Sequence, residues 1–155
     1  MLYYYRYDTI VGSVTFVEEN GALIAITMKA FQDGIEKETM LIKKAHLQLQ
    51  KYLMGERKIF DLPFKMKGTD FQVRVWKELL NIPYGETRSY KQIAEAIGNP
   101  KAMRAVGMAN NQNKLLIVIP CHRVIGADGK LVGYGEGLEM KEFLLRLEGI
   151  KYPKP

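Results

Sequence analysis

Residues 89–110 read SYKQIAEAIGNPKAMRAVGMAN and encode two short helices. Ser89 is a suitable N-cap for the first helix, Tyr90–Ile97, because its hydroxyl can accept a backbone N–H of the first turn. A Gly-Asn-Pro sequence then breaks the chain, and Pro100 is well placed to begin the second helix, Lys101–Asn110. This spacing predicts a helix-turn-helix, a pattern that helical hairpins of other functions also share.

The outward face of the second helix is predicted to carry small side chains and positive charge. At about 100° per residue, Met103, Val106 and Asn110 share one side, which we take as the core side. Small residues allow a helix to lie close to a nucleic-acid groove, and a long cation can reach into the base stack. Alanine also favours helices in general, so small side chains alone indicate nothing further. Small side chains together with positive charge favour the interpretation that this face binds nucleic acid. The opposite arc holds Lys101, Arg104, Ala105 and Met108, with Ala102 and Ala109 beside it.

The positive charge of the chain is concentrated around this helix pair. The whole chain has 23 basic and 17 acidic residues, a formal charge of +6. Residues 1–67 hold ten bases and eight acids, whereas residues 87–123 hold six bases and one acid. The local excess indicates an anionic partner such as the phosphates of DNA, and a solvated basic face is the alternative.

The first third of the chain is predicted to form a small antiparallel sheet. Short runs rich in Tyr, Val, Ile and Thr favour extended chain. Asn20 and Gly21 predict a tight turn between the second and third runs, because both residues tolerate positive φ. The three predicted strands are Leu2–Tyr7, Ser13–Val17 and Ala22–Met28.

Three more helices are indicated by apolar residues at three- and four-residue steps. Thr69 and Gln72 form a capping box at the start of the second of these helices. Trp76, in the same helix, is predicted to pack in the core, and residues 60–68 are interpreted as a linker that crosses a surface. The predicted helices are Ile35–Met54, Asp70–Leu80 and Leu138–Glu148.

These elements predict an α+β fold with two domains. Residues 1–67 would form the sheet-and-helix domain with its linker, and residues 68–155 a mostly helical domain with the helix-turn-helix. No apolar run reaches the ~18–20 residues that span a bilayer, and no secretory signal is recognisable at the N-terminus. The single cysteine excludes an internal disulfide and multi-cysteine zinc sites, and it fits a reducing cytoplasm. Neither a metal nor a cofactor is indicated.

A candidate nucleophile follows the apolar run Leu115–Ile119, which is predicted to be buried. After Pro120 come Cys121, His122 and Arg123. A lone cysteine is more often a small buried hydrophobe. A thiol beside an imidazole in a basic stretch is instead expected to have a lowered pKa, and this context favours the nucleophile.

The imidazole of His122 should be oriented by an acidic group, as in other activated nucleophiles. In an extended chain, neighbouring side chains point to opposite faces, so a turn or a bridging water would have to connect His122 to Cys121. Glu148, at the end of the last predicted helix, is our candidate for the acid. Glu139 and Glu142 fit the sequence equally well.

A glycine-rich segment, Gly133-Tyr134-Gly135-Glu136-Gly137, precedes the last helix. It lacks the third glycine of a dinucleotide fingerprint at the required offset. It is interpreted as a binding loop in which Tyr134 can stack on a ligand or donate a hydrogen bond.

The segment Ile119–Val124, IPCHRV, resembles the active-site motif of the O6-alkylguanine-DNA alkyltransferases, also called methylated-DNA–protein-cysteine methyltransferases. The resemblance covers the chain from about Phe71 to Gly149 and is highly specific there. The first third of the chain is compatible with the variable first domain of that family. The other matching segments are Gly85–Tyr90, Gly98–Ala102, Arg104–Gly107, Gly137-Leu138 and Lys141–Glu148.

The resemblance implies roles for the residues around the thiol. Cys121 would accept the alkyl group, and His122 would act through a water as general base, held by Glu148. Asn113 would tie this network together, and Tyr90 would assist proton transfer to the guanine.

The resemblance also implies a pocket for an extruded base. Tyr134, Gly135 and Val124 would line it, and Lys141 would lie near the reacting atoms. Gly135 stands where some members have a hydroxyl residue, so a backbone N–H would supply one contact to the alkylated oxygen. Cys121 would lie at the floor of this pocket.

The implied DNA surface centres on Arg104, which would fill the gap left by the extruded base. DNA would be bound as a duplex through its minor groove by a monomer. O6-alkylguanine is the implied substrate, with O4-alkylthymine as a further candidate, and each molecule would act once because the thioether is not reversed. The other implied DNA contacts are Lys101, Ala102, Ala105, Tyr90 and Arg123.

Two other functions fit parts of the pattern. A helix-turn-helix regulator would use the basic helix pair but leave Cys121 and His122 without a role. A cysteine hydrolase would use these two residues but not the basic surface.

Overall fold

The computed structural model describes residues 1–129 and 134–151. The described residues confirm the predicted α+β class, with a small, mainly antiparallel sheet and five α-helices. They divide into two compact units: Met1–Lys67 together with Lys114–Leu116, and the remainder of the chain. The predicted functional division at residues 67 and 68 stays a prediction. None of the described helices is long and apolar enough to cross a membrane.

The first unit contains a four-stranded sheet in the order β3-β2-β1-β4. Strands β1, β2 and β3 pair antiparallel, and β4 pairs parallel to β1. Asn20 and Gly21 have φ values of 51° and 78°, so the predicted hairpin turn is confirmed. The strands are β1 (Leu2–Thr9), β2 (Gly12–Glu19), β3 (Ala22–Thr27) and β4 (Ile35–Glu36).

One helix, α1 (Met40–Leu53), packs on this sheet through an apolar face that includes Ile42 and Ala45. The predicted start at Ile35 is wrong. Residues 35 and 36 pair with β1, and the Thr39 hydroxyl accepts the Ile42 N–H at 3.1 Å as the N-cap. The pairing joins residues distant in sequence, so the local apolar period could not reveal it.

Residues 60–68 are more than the predicted surface linker. The Leu23 N–H donates to the Pro63 carbonyl and the Lys65 N–H to the Leu23 carbonyl, both at 2.9 Å. Leu62 is buried. The segment therefore extends the pairing of β3 and contributes to the core.

The described residues of the second unit form four α-helices and two short paired strands. A capping box begins α2, with Thr69 accepting the Gln72 N–H, and a second one begins α3 at Ser89. The Trp76 side chain is buried and its Nε1 donates to the Ala109 carbonyl at 2.9 Å, which confirms its packing role. The elements are α2 (Asp70–Leu79), β5 (Arg88–Ser89), α3 (Tyr90–Ala96), α4 (Met103–Asn111), β6 (Val124–Ile125) and α5 (Leu138–Leu147).

The second helix of the pair, α4, begins later than predicted. The Ala102 N–H donates to the Asn99 carbonyl in a turn, so Pro100 and Lys101 lie outside the helix. Met103 was placed on the core side but is 42% exposed. Burial is centred on Val106, Ala109 and Asn110 instead, because Ala109 lies against Trp76.

Candidate active site

Cys121 begins a single turn of 3₁₀ helix, Cys121–Arg123, directly after Pro120. The Arg123 N–H closes this turn on the Pro120 carbonyl at 3.0 Å. Of the two alternatives that the sequence left open, a turn or a bridging water, the described chain has the turn. The turn ends where Val124 begins β6 and pairs parallel with Arg88 of β5.

The Cys121 thiol is covered, with the residue only 2% exposed. Its sulfur accepts a hydrogen bond from Asn113 Nδ2 at 3.2 Å, and the same amide donates to the Ile119 carbonyl at 2.7 Å. Asn110 Nδ2 donates to the Cys121 carbonyl at 3.2 Å. Two amides, one in the last turn of α4 and one just after the helix, therefore hold the sulfur and the backbone around it.

Asn110 also belongs to this site, although its sequence position predicts only a place in the core. The signal was present, since a buried amide on an otherwise apolar helix face needs a hydrogen-bond partner. The partner, Cys121, lies 11 residues further along the chain, and only the fold brings it close.

Burial raises the pKa of the Cys121 thiol to about 11. The hydrogen bond from Asn113, the charge of Lys141 and a hydrogen bond from Tyr134 act in the opposite direction but are outweighed. The expected lowering of this pKa is therefore wrong, because desolvation of the thiolate is the largest effect. At neutral pH the thiol is protonated, so its reaction as a nucleophile requires a base.

His122 and Glu148 form a fully buried pair, with His122 Nε2 and Glu148 Oε2 2.7 Å apart. Burial lowers the pKa of His122, and the hydrogen bond to Glu148 opposes that shift. The imidazole is therefore neutral at physiological pH. Because a carboxylate only accepts hydrogen bonds, the ring proton is on Nε2 and the basic atom is Nδ1.

Three hydrogen bonds besides the contact with His122 hold the carboxylate of Glu148 in place. Arg123 donates from Nε to Oε1 at 2.8 Å and from Nη2 to Oε2 at 3.0 Å, and the Gly85 N–H donates to Oε1 at 3.1 Å. The other acidic candidates lie elsewhere, since Glu142 pairs with Arg146 and Glu139 is exposed. Glu148 is thus the carboxylate that contacts the imidazole.

Arg123, predicted as a DNA contact, is buried in the described structure. It is 8% exposed, its guanidinium is bonded to Glu148, and its Nη1 donates to the Ile82 carbonyl at 2.8 Å. Three of its five N–H donors are engaged inside the protein, so burial and these bonds do not favour a contact with phosphate. Arg123 therefore positions the carboxylate of Glu148.

Tyr90 and Lys141 lie together near the thiol. Lys141 is buried, its Nζ is 5.9 Å from the centre of the Tyr90 ring, and burial lowers its pKa to about 8 despite the opposing effect of Cys121. Burial, together with the nearby Cys121, raises the pKa of Tyr90 to about 12, and a hydrogen bond from Asn110 acts against this shift. Tyr90 is therefore a protonated phenol at neutral pH, and Lys141 changes between the ammonium and the neutral amine near pH 8.

Two of the three predicted pocket residues are buried, and the third, Gly135, is exposed. Tyr134 and Val124 are buried. A Cβ at Gly135 would lie 3.1 Å from the Asn111 carbonyl oxygen, so the position has little room for a side chain. Gly133, the first residue of the predicted binding loop, lies outside the described residues.

The outward face of α4 carries the predicted DNA contacts. Arg104 and Ala105 are exposed, Lys101 is exposed just before the helix, and Ala102 is half-buried. Within residues 1–129 and 134–151, Arg104 makes no ion pair. This surface is cationic and has little side-chain bulk close to the helix axis.

Residues 70–150 match the family described as 6-O-methylguanine DNA methyltransferase, DNA binding domain. The chain belongs to this family. Its relatives include the methylated-DNA–protein-cysteine methyltransferase of Methanosarcina acetivorans, 46% identical over 154 residues that cover 96% of this chain and 99% of that protein. The constitutive enzyme of the same name from Bacillus subtilis is 46% identical over 98% of both chains.

Solved structures of the family share the fold of this chain. The crystal structure of Mycobacterium tuberculosis OGT in complex with DNA superposes with a TM-score of 0.88 and 45% identity, over 94% of this chain and 92% of that one. The resemblance to the alkyltransferase family predicted from the IPCHRV motif is therefore confirmed.

Proposed function

We propose that this protein repairs DNA by moving the alkyl group of O6-alkylguanine to the sulfur of its own Cys121. The observation that carries the proposal is the Cys121 thiol, which accepts a hydrogen bond from Asn113 and lies in the same turn as His122, the partner of Glu148. The relatives named methylated-DNA–protein-cysteine methyltransferase support it, as does the family model for a DNA-binding domain.

The reaction begins with removal of the thiol proton. His122 is neutral and presents Nδ1 as its basic atom, so it accepts this proton through a water molecule while Glu148 holds the imidazolium. Asn113 donates to the developing thiolate and the ammonium of Lys141 adds a positive charge nearby. Hydrogen-bond donors and cations of this kind stabilise a thiolate that burial alone would disfavour.

Transfer is an in-line displacement. The thiolate attacks the alkyl carbon, the S–C bond forms as the C–O6 bond breaks, and the bonding electrons remain on the guanine. As the C–O6 bond breaks, Tyr90 donates a proton to the purine, which makes the purine a better leaving group. The raised pKa of Tyr90 keeps its proton in place until charge develops. The thioether product is stable, so each molecule acts once.

The alkylated base must leave the duplex to reach a covered sulfur. Extrusion costs a few kcal/mol, and Arg104 offsets part of that cost by filling the vacancy in the base stack. The small residues beside Arg104 let α4 lie close to the minor groove. O4-alkylthymine carries its alkyl group on an exocyclic oxygen as well, and we include it as a second substrate.

One chain supplies every residue of this mechanism, so we propose that the protein acts as a monomer. We also propose a cytoplasmic location, because the lone thiol has to stay reduced until it meets a lesion.

A mass measurement tests the transfer. The protein is incubated with duplex DNA containing O6-methylguanine, digested, and its peptides are weighed. We expect one methyl group in place of one proton on the peptide with Cys121, in an amount equal to the guanine restored. A folded protein that binds the duplex without any adduct would identify a regulator, and repeated turnover of an ester or peptide substrate would identify a hydrolase.

A further inference from the structure

A cavity of about 400 Å³ lies in the first unit, on the face of the sheet opposite α1. Tyr7 of β1 stacks on His46 of α1 with ring centres 3.6 Å apart, which fixes the face that the helix covers. Successive residues of a strand point to opposite faces, so Tyr4 and Arg6 lie on the face of β1 opposite Tyr7. Both residues line the cavity. The volume lies in the range of ~300–1,000 Å³ that is typical of small-ligand sites.

The floor of the cavity is polar. Ser13 and Thr15 of β2 lie opposite Asp8 and Arg6 in the register of the two strands, so both hydroxyls belong to the cavity face. Thr15 is buried, and the more exposed Ser13 hydroxyl donates a hydrogen bond to Asp8 Oδ1 at 2.9 Å. Both hydroxyl oxygens can accept a hydrogen bond from a ligand in the cavity.

One wall of the cavity is aromatic. Phe31, from the segment after β3, packs against Tyr4 edge-to-face, with ring centres 5.6 Å apart and planes at 68°. Both rings line the cavity, and Met28 lies beside them. A flat ring can stack on such a wall, and the stacking depends little on the polar groups at the edge of that ring.

The mouth of the cavity is cationic. Arg6 and Lys29 are both exposed and make no ion pair with any described residue, while Glu36 is the one acidic residue in the lining. The lining charge is thus two positive and one negative. Arginine and lysine in this arrangement favour a phosphate, which arginine can bind through two parallel hydrogen bonds.

We propose that this cavity binds a 5′-mononucleotide, with the base on Tyr4 and Phe31 and the phosphate between Arg6 and Lys29. An inorganic anion alone would leave the aromatic wall and most of the volume unfilled. A purely apolar ligand would cover the polar floor with carbon and leave both cations without a counter-charge. The ribose hydroxyls suit the polar floor. No residue of the cavity belongs to the alkyl-transfer site, so the two proposals stand independently.

Titration calorimetry on the full chain tests the proposal, with adenosine 5′-monophosphate, adenosine and inorganic phosphate as separate probes. We expect saturable one-to-one binding of the monophosphate with a Kd below about 1 mM, and weaker binding of the other two probes. No saturation by about 10 mM would overturn the proposal. Binding of adenosine equal to that of the monophosphate would overturn the phosphate site, and equal binding of inorganic phosphate would overturn the base site.

Matched variants locate the bound nucleotide. The double variant Arg6→Gln and Lys29→Gln is expected to weaken monophosphate binding about tenfold or more. Lys43→Gln, on an exposed position of α1, removes one positive charge away from the cavity and should leave the Kd unchanged. Arg104→Ala should also leave it unchanged. Loss of binding in Arg104→Ala with full binding in the double variant would place the nucleotide on α4 and refute the cavity site.

Discussion

Arg123 and Glu148 are joined by two parallel hydrogen bonds, Nε to Oε1 at 2.8 Å and Nη2 to Oε2 at 3.0 Å. Glu148 in turn contacts the imidazole of His122 at 2.7 Å. The arginine beside the proposed nucleophile therefore sets the position of the carboxylate that orients its base. From the sequence, Arg123 is predicted as a DNA contact within the basic stretch of residues 87–123.

Arg123→Lys should slow alkyl transfer while DNA binding stays close to normal. A lysine keeps the charge but cannot make both hydrogen bonds to the carboxylate, so the imidazole loses its fixed orientation. Misplacement of this kind costs about 10–100-fold in rate. Single-turnover transfer from free O6-benzylguanine and binding of undamaged duplex are to be measured side by side. If duplex binding weakens and the benzylguanine rate is unchanged, Arg123 is a DNA contact after all.

The rate of transfer should have an optimum in pH whose alkaline limb belongs to Lys141. Its pKa is lowered to about 8, so the ammonium is present below that pH and is lost above it, together with its stabilisation of the thiolate. The acid limb should lie below the ordinary histidine value of about 6.5, because burial lowers the pKa of His122 and only the neutral ring is a base.

Lys141→Met separates these two effects. The variant should have a lower maximal rate and no alkaline limb near pH 8, with the acid limb unchanged. Rates with free O6-benzylguanine give the profile without the pH dependence of DNA binding. An alkaline limb that persists in Lys141→Met would assign that titration to another group.

The helices were predictable where their signals are local. The Thr69 capping box, the Ser89 cap and the buried Trp76 all follow from residues within a few positions of one another. The start of α1 and the pairing of residues 60–68 were not predictable, since both depend on strands far away in the chain. Local patterns contain no information on which distant strand has a free edge.

The sequence predicts which residue types form the candidate site, but it does not predict the Arg123–Glu148 contact or the direction of the Cys121 pKa shift. Cys121 and His122 were recognisable from their neighbours, and the family motif indicated Glu148. The link between Arg123 and Glu148 spans 25 residues of sequence and had no local signal. The direction of the Cys121 pKa shift depends on burial, which basic neighbours in the sequence do not reveal.

Asn113→Ala should raise the pKa of the Cys121 thiol further and slow transfer. The amide donates to the sulfur at 3.2 Å and its hydrogen bond favours the thiolate. A hydrogen bond to a charged group contributes ~1.5–3 kcal/mol, so a rate loss of about 10–100-fold is expected.

The control for Asn113→Ala is Gln112→Ala, which removes the neighbouring amide that bonds Gln72 instead of the thiol. Thiolate absorbance in the ultraviolet, followed against pH, reports the shift directly. An unchanged titration together with a slow rate would mean that Asn113 acts on the backbone at Ile119 rather than on the sulfur.

Arg104→Ala should slow repair of an alkylated duplex far more than reaction with free O6-benzylguanine. The free base needs no extrusion, so it does not depend on a side chain that fills the base stack, whereas the duplex does. Lys101→Ala is the matched control, because Lys101 is exposed just before α4 and would contact phosphate only. It should weaken duplex affinity and reduce the salt dependence by about one charge, yet leave the rate at saturating DNA intact. If Arg104→Ala behaves like Lys101→Ala, Arg104 is a phosphate contact and the base is extruded without its help.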